Sequence, residues 1–257
     1  FYFPFLDSND EKNKNNVKCH SLARIQDYCV FKNNAKSLFS LDKINHLDFG
    51  SGLGGAATYS LNLLNANFTG IEAHKWSYNI QRYFYRALVQ DKGKYLDLLN
   101  AEAMELSYEE LKKLINSEKF RIKQIPSWFF PDIKKDSQNL ITATTCLNEI
   151  NDAAIIWFLV NSNKVLKQDG YIYIRDSAKL KPDRHIVNYD EVLVKEMGYE
   201  LVKWYDLVNR KDIFAIPRIY QKKKNIDLDF DEFFNHILGR EAITSHGGRY
   251  NQNLKKK

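Results

Sequence analysis

Short apolar runs alternate along this chain with segments in which apolar residues recur every three or four positions. The runs are typical of strands buried in a parallel sheet, and the spaced segments are typical of helices that cover such a sheet. The pattern predicts strands at 44–49, 68–72, 95–99, 139–147, 171–174, 199–204 and 214–220. It predicts helices at 56–64, 77–89, 108–115, 152–165 and 190–197.

Strands and helices that alternate in this way predict a doubly wound α/β fold. We expect a seven-stranded, mostly parallel sheet with an antiparallel last strand, because a polar loop joins the last two predicted strands. Residues 44–222 form the predicted main domain, with an insertion at about 116–138 that carries two prolines around three aromatic residues. Residues 1–43 are predicted to form a helical N-terminal cap, and 223–257 to form a C-terminal extension over the active site or a flexible tail.

Length and composition narrow the class of protein. A chain of 257 residues is long enough to bury a sizeable core. Its three cysteines lie far apart, so we expect no disulfide and no metal site, and the reducing cytoplasm fits best. The longest apolar run, Ala153 to Val160, is too short to cross a bilayer, and the first residues lack the basic start of a secretion signal. No membrane partner is therefore expected.

The formal net charge of +6 is consistent with a nucleic-acid partner, but six of the lysines form two triplets, 222–224 and 255–257. Without them the chain is about neutral. Clustered lysines of this kind are more often solvated than bound to phosphates. Nucleic acid is therefore not the expected partner.

A glycine-rich turn between the first strand and the first helix carries the clearest chemistry. The turn contains Gly50, Gly52 and Gly54, with Asp48 two positions ahead of it, and Glu72 ends the next strand. Glycines let a ligand approach the backbone, and a carboxylate at the end of the second strand can accept hydrogen bonds from ribose hydroxyls. The turn predicts a nucleoside ligand. Dinucleotides and S-adenosylmethionine both use such a turn, so the glycines alone do not choose between them.

Asp48 distinguishes the two ligands. A carboxylate at this position repels a pyrophosphate but suits the cationic methionine part of S-adenosylmethionine. Asp48, Gly50, Gly52 and Gly54 match the D-x-G-x-G-x-G motif, and in this the sequence resembles the class I, Rossmann-like, S-adenosylmethionine-dependent methyltransferases. The strand order from 44 to 222 is similar to theirs too, whereas a dinucleotide-dependent reductase would continue with a parallel strand.

The resemblance implies S-adenosylmethionine as the methyl donor, with S-adenosylhomocysteine as the product. The acidic residue that the family often places after its third strand, next to adenine, has no counterpart unless it is Glu102 or Glu105. The predicted cofactor-binding residues are Asp48, Gly50, Ser51, Gly52, Gly54, Glu72, Ala73 and Asn148.

Methyl transfer to a hydroxyl needs a base within reach of the acceptor. Glu149 and Asp176 follow predicted strands at the edge where ligands bind, and His246 opens a glycine-rich segment, so these three are the candidate catalytic residues. The two carboxylates could equally cap a helix or pair with an arginine. A disordered tail is the equal alternative for the glycine-rich segment. The candidate substrate-binding residues are Arg175, Arg249, Tyr250 and His20, and Arg175 could instead pair with Asp176.

The expected acceptor is a small polar molecule methylated on oxygen, because residues 148–150 lack the Asn-Pro-Pro-Tyr motif that holds a planar amino group. A sugar or nucleotide-linked intermediate of surface-polysaccharide synthesis fits the polar extensions, and bacterial sugar O-methyltransferases look similar in this respect. The alternatives are methylation of RNA or a ribosomal component, favoured by the lysine triplets, and a fold that binds the cofactor without catalysis as an assembly module.

Overall fold

Strands and helices alternate through the computed structural model of the protein, which describes residues 11–89, 91–176, 187–204 and 216–244. The strands are β1 (Ile44–Phe49), β2 (Ala66–Glu72), β3 (Tyr95–Asp97), β4 (Ile122–Pro126), β5 (Gln138–Thr144), β6 (Leu166–Asp176), β7 (Tyr199–Trp204) and β8 (Ile216–Lys222). The helices are α1 (Glu11–Asn34), α2 (Ala56–Asn62), α3 (Lys75–Leu88), α4 (Ala101–Met104), α5 (Tyr108–Asn116), α6 (Asp152–Val165), α7 (Tyr189–Lys195) and α8 (Phe230–Thr244).

The strands of the described residues form one sheet in the order β3-β4-β2-β1-β5-β6-β8-β7. All neighbouring strands run parallel except at β8, which is antiparallel to both β6 and β7. The predicted doubly wound fold with an antiparallel last strand is therefore confirmed. The sheet has eight strands rather than the predicted seven, because segment 116–138, predicted as an insertion, supplies β4 between β3 and β2.

Each buried strand contributes alternate side chains to two cores, as the period of two requires. Leu47 and Phe49 of β1 face the core covered by α5, α6, α7 and α8. Ile44 of the same strand faces the core covered by α1, α2 and α3. His46 and Asp48 are also buried on β1, between these apolar positions. The β1 sequence thus places two polar side chains inside the molecule, next to the glycine turn.

The N-terminal cap contributes a helix to the second core. Phe31 of α1 is fully buried and packs edge-on against Tyr173 of β6, with ring centroids 4.8 Å apart. At the other end of the chain, Phe233 and Ile237 of α8 are buried in the first core. Within the described ranges, no helix is long and apolar enough to span a membrane.

One lysine of the first triplet is buried, although lysine triplets are expected to be solvated. Lys222 is only 2% exposed, and its Nζ donates hydrogen bonds to the carbonyl oxygens of Asn163 (2.6 Å) and Leu166 (2.8 Å). These carbonyls lie at the C-terminal end of α6, where the helix leaves acceptors unpaired and where a cation is favourable. Lys223 and Lys224 are exposed. Lys222 therefore caps a helix.

Candidate functional site

The turn after β1 lies at the carboxyl edge of the sheet, where open α/β sheets bind ligands. Gly52 and Gly54 have φ angles of +55° and +83°, a region that side chains rarely adopt. A Cβ on Gly54 would lie 2.6 Å from the buried ring of Tyr85, whereas a Cβ on Gly52 would meet nothing within 4 Å. The chain therefore needs Gly54 for its own packing, and Gly52 faces open space that a ligand can occupy.

A pair of substitutions separates these two roles. Gly52→Ala should lower the free energy of unfolding by about 1–2 kcal/mol, because alanine is strained at the positive φ of this position. It should also weaken binding of S-adenosylhomocysteine about tenfold, because the added methyl group occupies ligand space. Gly54→Ala should lower the free energy of unfolding by about 1–3 kcal/mol more than Gly52→Ala does, because its methyl group adds a collision with Tyr85 to the same backbone strain. Calorimetric titration and thermal unfolding of both variants measure the difference. Equal ligand affinity in Gly52→Ala and the wild type would contradict the placement of the ligand.

Glu72, at the end of β2, is tied to this turn. Its carboxylate accepts hydrogen bonds from the backbone N–H groups of Gly52 (2.8 Å), Ala73 (2.9 Å) and His74 (2.8 Å). A carboxylate has about four lone-pair positions, so about one remains for a ribose hydroxyl rather than the two that the sequence suggests. Glu72 thus both shapes the glycine turn and presents an acceptor beside it.

Asp48 ends a buried chain of hydrogen bonds. Thr142 of β5 donates its hydroxyl hydrogen to Asp48 Oδ1 (2.5 Å), and His46 Nε2 lies 2.8 Å from the same hydroxyl oxygen. Because Thr142 has one hydrogen, which it gives to the ionised Asp48, His46 must donate from Nε2. His46 Nδ1 then accepts from Ser60, 3.0 Å away. Burial, aided by the positive charge of Arg24, lowers the pKa of His46 to about 3, so the imidazole is neutral at physiological pH.

The other carboxylate oxygen of Asp48, Oδ2, is buried without a hydrogen-bond partner among the described residues. Burial raises the pKa of Asp48 to about 6, although the positive charge of Arg24 and the hydrogen bond from Thr142 oppose the rise. A buried acceptor without a donor is costly. An ammonium group of a ligand would supply the missing donor and a compensating charge.

The raised pKa of Asp48 predicts a pH dependence of ligand binding. The ammonium group of S-adenosylhomocysteine binds the ionised carboxylate, and protonation removes that charge. Affinity should therefore be constant above about pH 7 and fall by up to about tenfold for each pH unit below about 6. Calorimetric titrations between pH 5 and 8 measure this. The Asp48→Asn variant should bind weakly and without that pH step, and a wild-type affinity that stays flat down to pH 5 would contradict the assignment.

The N-terminal helix brings a group of charged side chains to the same edge, which sequence reasoning missed. Arg24 Nη1 donates to Thr144 Oγ1 (2.9 Å) at the end of β5. Asp27 is fully buried and accepts hydrogen bonds from Tyr173 (2.5 Å) and from Arg175 Nε (2.8 Å). Arg175 therefore pairs with Asp27 and not with Asp176, the partner considered from the sequence. Only the Asp27–Arg24 spacing within a helix was visible in the sequence, and nothing in it indicates the partner strand.

Asp176 is buried at the end of β6 and accepts hydrogen bonds from the backbone N–H groups of Leu147 (2.8 Å) and Asn148 (3.2 Å). The side-chain amide of Asn148 also donates to it. Asp176 thereby fixes the turn after β5, which carries Asn148. Strand β5 pairs with β1, the strand that leads into the glycine turn. Glu149, also in the turn after β5, is exposed. The structure brings these three predicted residues together at one edge.

Strand β2 pairs with β1 on one side and with β4 on the other. The residues after β4, and not those after β3, therefore lie next to Glu72 at the ligand edge. These residues include Ser127 and the exposed Trp128. Glu102 and Glu105, considered from the sequence as partners of adenine, are exposed at α4, which follows the outermost strand. No acidic residue follows β4 until Asp132.

Four of the predicted site residues have side chains outside the described part of the protein. His246, Arg249 and Tyr250 fall outside the described residues. His20 belongs to helix α1, but its side chain is also outside the description. Their roles as base or substrate ligands stay predictions. The predicted cofactor residues Asp48, Gly50, Ser51, Gly52, Gly54, Glu72 and Ala73 do lie together around the β1–α2 turn.

Comparison with known proteins supports the fold. A sarcosine dimethylglycine methyltransferase candidate from Galdieria sulphuraria has a similar structure, with a TM-score of 0.50 and 11% identity over 78% of this chain and 85% of that chain. A methyltransferase from Pyrococcus furiosus has a TM-score of 0.47 and 12% identity over 78% of this chain and 83% of that chain. No family model and no curated protein matched the sequence. The chain has the α/β fold of Rossmann-like methyltransferases.

Proposed function

We propose that the protein is an S-adenosylmethionine-dependent methyltransferase that acts on a hydroxyl group of a small polar acceptor. The observation that carries this proposal is the position of two buried carboxylates, Asp48 and Glu72, on either side of the glycine turn. Asp48 would repel a pyrophosphate. A ligand with an ammonium group at one end and a ribose at the other would satisfy both carboxylates.

The residues of the turn fit S-adenosylmethionine. The unpartnered Oδ2 of Asp48 suits its ammonium group, the remaining lone pair of Glu72 suits a ribose hydroxyl, and Gly52 leaves room for its chain. When bound, the cofactor supplies an electrophilic methyl group. The protein must then orient an acceptor toward that methyl group and take up the acceptor's proton.

Glu149 is the base that we favour among the three candidates. Its side chain is exposed at the carboxyl edge, in the turn after β5, and can therefore reach an acceptor. Asp176 is buried, and both its oxygens accept hydrogen bonds from the turn that carries Glu149. We assign Asp176 the role of positioning that turn. His246 stays a candidate without a described position.

The acceptor that we propose is a sugar or a nucleotide-linked intermediate, as in O-methylation for surface polysaccharides. Arg175 lies at the end of β6 with its side chain 13% exposed, and it is a polar group near the acceptor edge. A small acceptor is favoured over RNA because the one described lysine triplet has a buried member that caps a helix.

Two experiments test the proposal. First, calorimetry should detect S-adenosylhomocysteine binding to the wild type and no binding of NADH, and the reverse result would refute the ligand assignment. Second, transfer of labelled methyl groups should be assayed on a panel of sugars, nucleotide sugars and RNA. Glu149→Gln should lower turnover while leaving S-adenosylhomocysteine affinity unchanged. Preferred methylation of RNA would replace the proposed acceptor, and binding without turnover on any acceptor would favour a non-catalytic module.

A further inference from the structure

Arg24 lies over the glycine turn although it belongs to the N-terminal helix. Its Nε is 3.3 Å from the position that a Cβ on Gly55 would take, so glycine leaves the space that the guanidinium uses. Its Nη1 reaches Thr144 at the end of β5. The guanidinium therefore spans the gap between the turn after β1 and the end of the neighbouring strand, and its side chain is 23% exposed there.

Arg24 shares its counter-ion with a second arginine at this edge. Asp27 is the one acidic group within ion-pair distance of it among the described residues, and their closest atoms are 3.4 Å apart. Asp27 is already engaged by Arg175, whose Nε is closer, at 2.8 Å, and whose Nη2 also donates to it. One carboxylate thus faces two guanidinium groups. All hydrogen bonds from Arg24 to described residues come from Nη1, which leaves Nε and Nη2 available to a ligand.

We propose that Arg24 is the receptor for an anionic group, a carboxylate or a phosphate, of a ligand bound at this edge. A partly buried guanidinium without its own counter-ion gains most from such a group, and its fork of donors matches the group's oxygens. This inference rests on the proposed function for the identity of the ligands. It makes the N-terminal helix part of the binding site.

Two molecules could bring that group: the methyl donor, through the carboxylate of its methionine part, or a charged acceptor. The donor source is favoured by the neighbouring Asp48. No ion pair of 4.0 Å or less joins Arg24 to Asp48 in the described part of the chain, and Oδ2 of Asp48 has no partner there. A cation and an anion that are separate but adjacent can bind the carboxylate and ammonium groups of one amino acid.

The experiment compares the full-length wild type with Arg24→Gln by calorimetry. The ligands are S-adenosylhomocysteine and its decarboxylated analogue, which differ only in the carboxylate. If the donor supplies the anion, the substitution should weaken the binding of S-adenosylhomocysteine at least about tenfold. The affinity for the analogue should stay within about twofold of the wild-type value. If the acceptor supplies it, donor affinity should not change. Glucuronate or glucose 6-phosphate, but not glucose, should then bind the wild type loaded with S-adenosylhomocysteine, and the variant should lose that binding.

Two results would overturn the proposal. One is that Arg24→Gln weakens the binding of S-adenosylhomocysteine and of its analogue equally, and the other is that it changes the affinity for none of these anions. Failure of the wild type to bind S-adenosylhomocysteine would instead refute the proposed function. Arg24→Lys, which keeps the charge, should recover part of the affinity. It replaces Arg24→Gln in the binding comparison if that variant does not fold. The matched control is Arg121→Gln, at the opposite end of the strands, where Arg121 contacts Leu61 and Asn65. It should bind every ligand like the wild type.

Discussion

Replacing Glu72 by glutamine should weaken S-adenosylhomocysteine binding roughly 10- to 100-fold. The ribose would lose a hydrogen bond to a charged acceptor, which is worth about 1.5–3 kcal/mol. In addition, the carboxylate accepts three backbone N–H groups, from Gly52, Ala73 and His74. An amide cannot accept on both sides, so its NH2 group would face an N–H donor and disturb the glycine turn. Calorimetric titration at neutral pH measures the loss.

The matched control for this substitution is Glu109→Gln, which makes the same chemical change at an exposed position of α5. It should bind the ligand like the wild type. Far-UV circular dichroism of both variants checks that the fold survives. If Glu72→Gln kept the wild-type affinity, Glu72 would serve the turn alone, and the ribose would have to lie elsewhere.

Replacing Asp27 by asparagine should lower the free energy of unfolding by about 3–5 kcal/mol, the usual cost of leaving one member of a buried ion pair without its partner. Asp27 is fully buried, and its Oδ1 accepts hydrogen bonds from both Arg175 and Tyr173. The neutral amide would leave Arg175 without a counter-ion in a site where its side chain is only 13% exposed. Urea unfolding followed by circular dichroism measures the change.

A double-mutant cycle separates the ion pair from general damage to the core. Arg175→Gln should also lower the free energy of unfolding. The double variant Asp27→Asn with Arg175→Gln should lose less of this free energy than the two single variants lose together, because the pair is then removed as a whole. Asp42→Asn, at an exposed position, is the control and should be neutral. Strict additivity of the two single changes would mean that the residues do not act as a pair.

Most of the sheet could be predicted from the sequence, because strands buried on both faces are rich in apolar and β-branched residues. Strand β4 was missed because two of its five residues, Lys123 and Gln124, are polar and adjacent, so the segment shows neither a continuous apolar run nor strict alternation. Lys123 reaches the carbonyl oxygen of Ile115, 2.6 Å away, and Gln124 is fully buried with hydrogen bonds to Tyr78 and Tyr95. Partners from α3, α5 and β3 thus satisfy side chains that a single sequence presents as those of a loop.

The glycine turn could be predicted because its residues follow one another along the chain in one motif. The other side of the site could not. Arg24 and Asp27 reach the site from a helix whose contacts lie 120 and 148 positions away, and no local pattern indicates such a pairing. His46 was equally hidden, since a histidine within a strand shows neither its tautomer nor its partners.

The pairing of Asp27 with Arg175 has a consequence for synthesis on the ribosome. The two residues are separated by 148 positions, so at typical translation rates the nascent helix α1 emerges on the order of ten seconds or more before its counter-ion does. Until then the aspartate must remain hydrated and Phe31 must remain uncovered. Helix α1 is therefore made long before its native neighbours on β6, and a chaperone that shields apolar nascent segments would act on it.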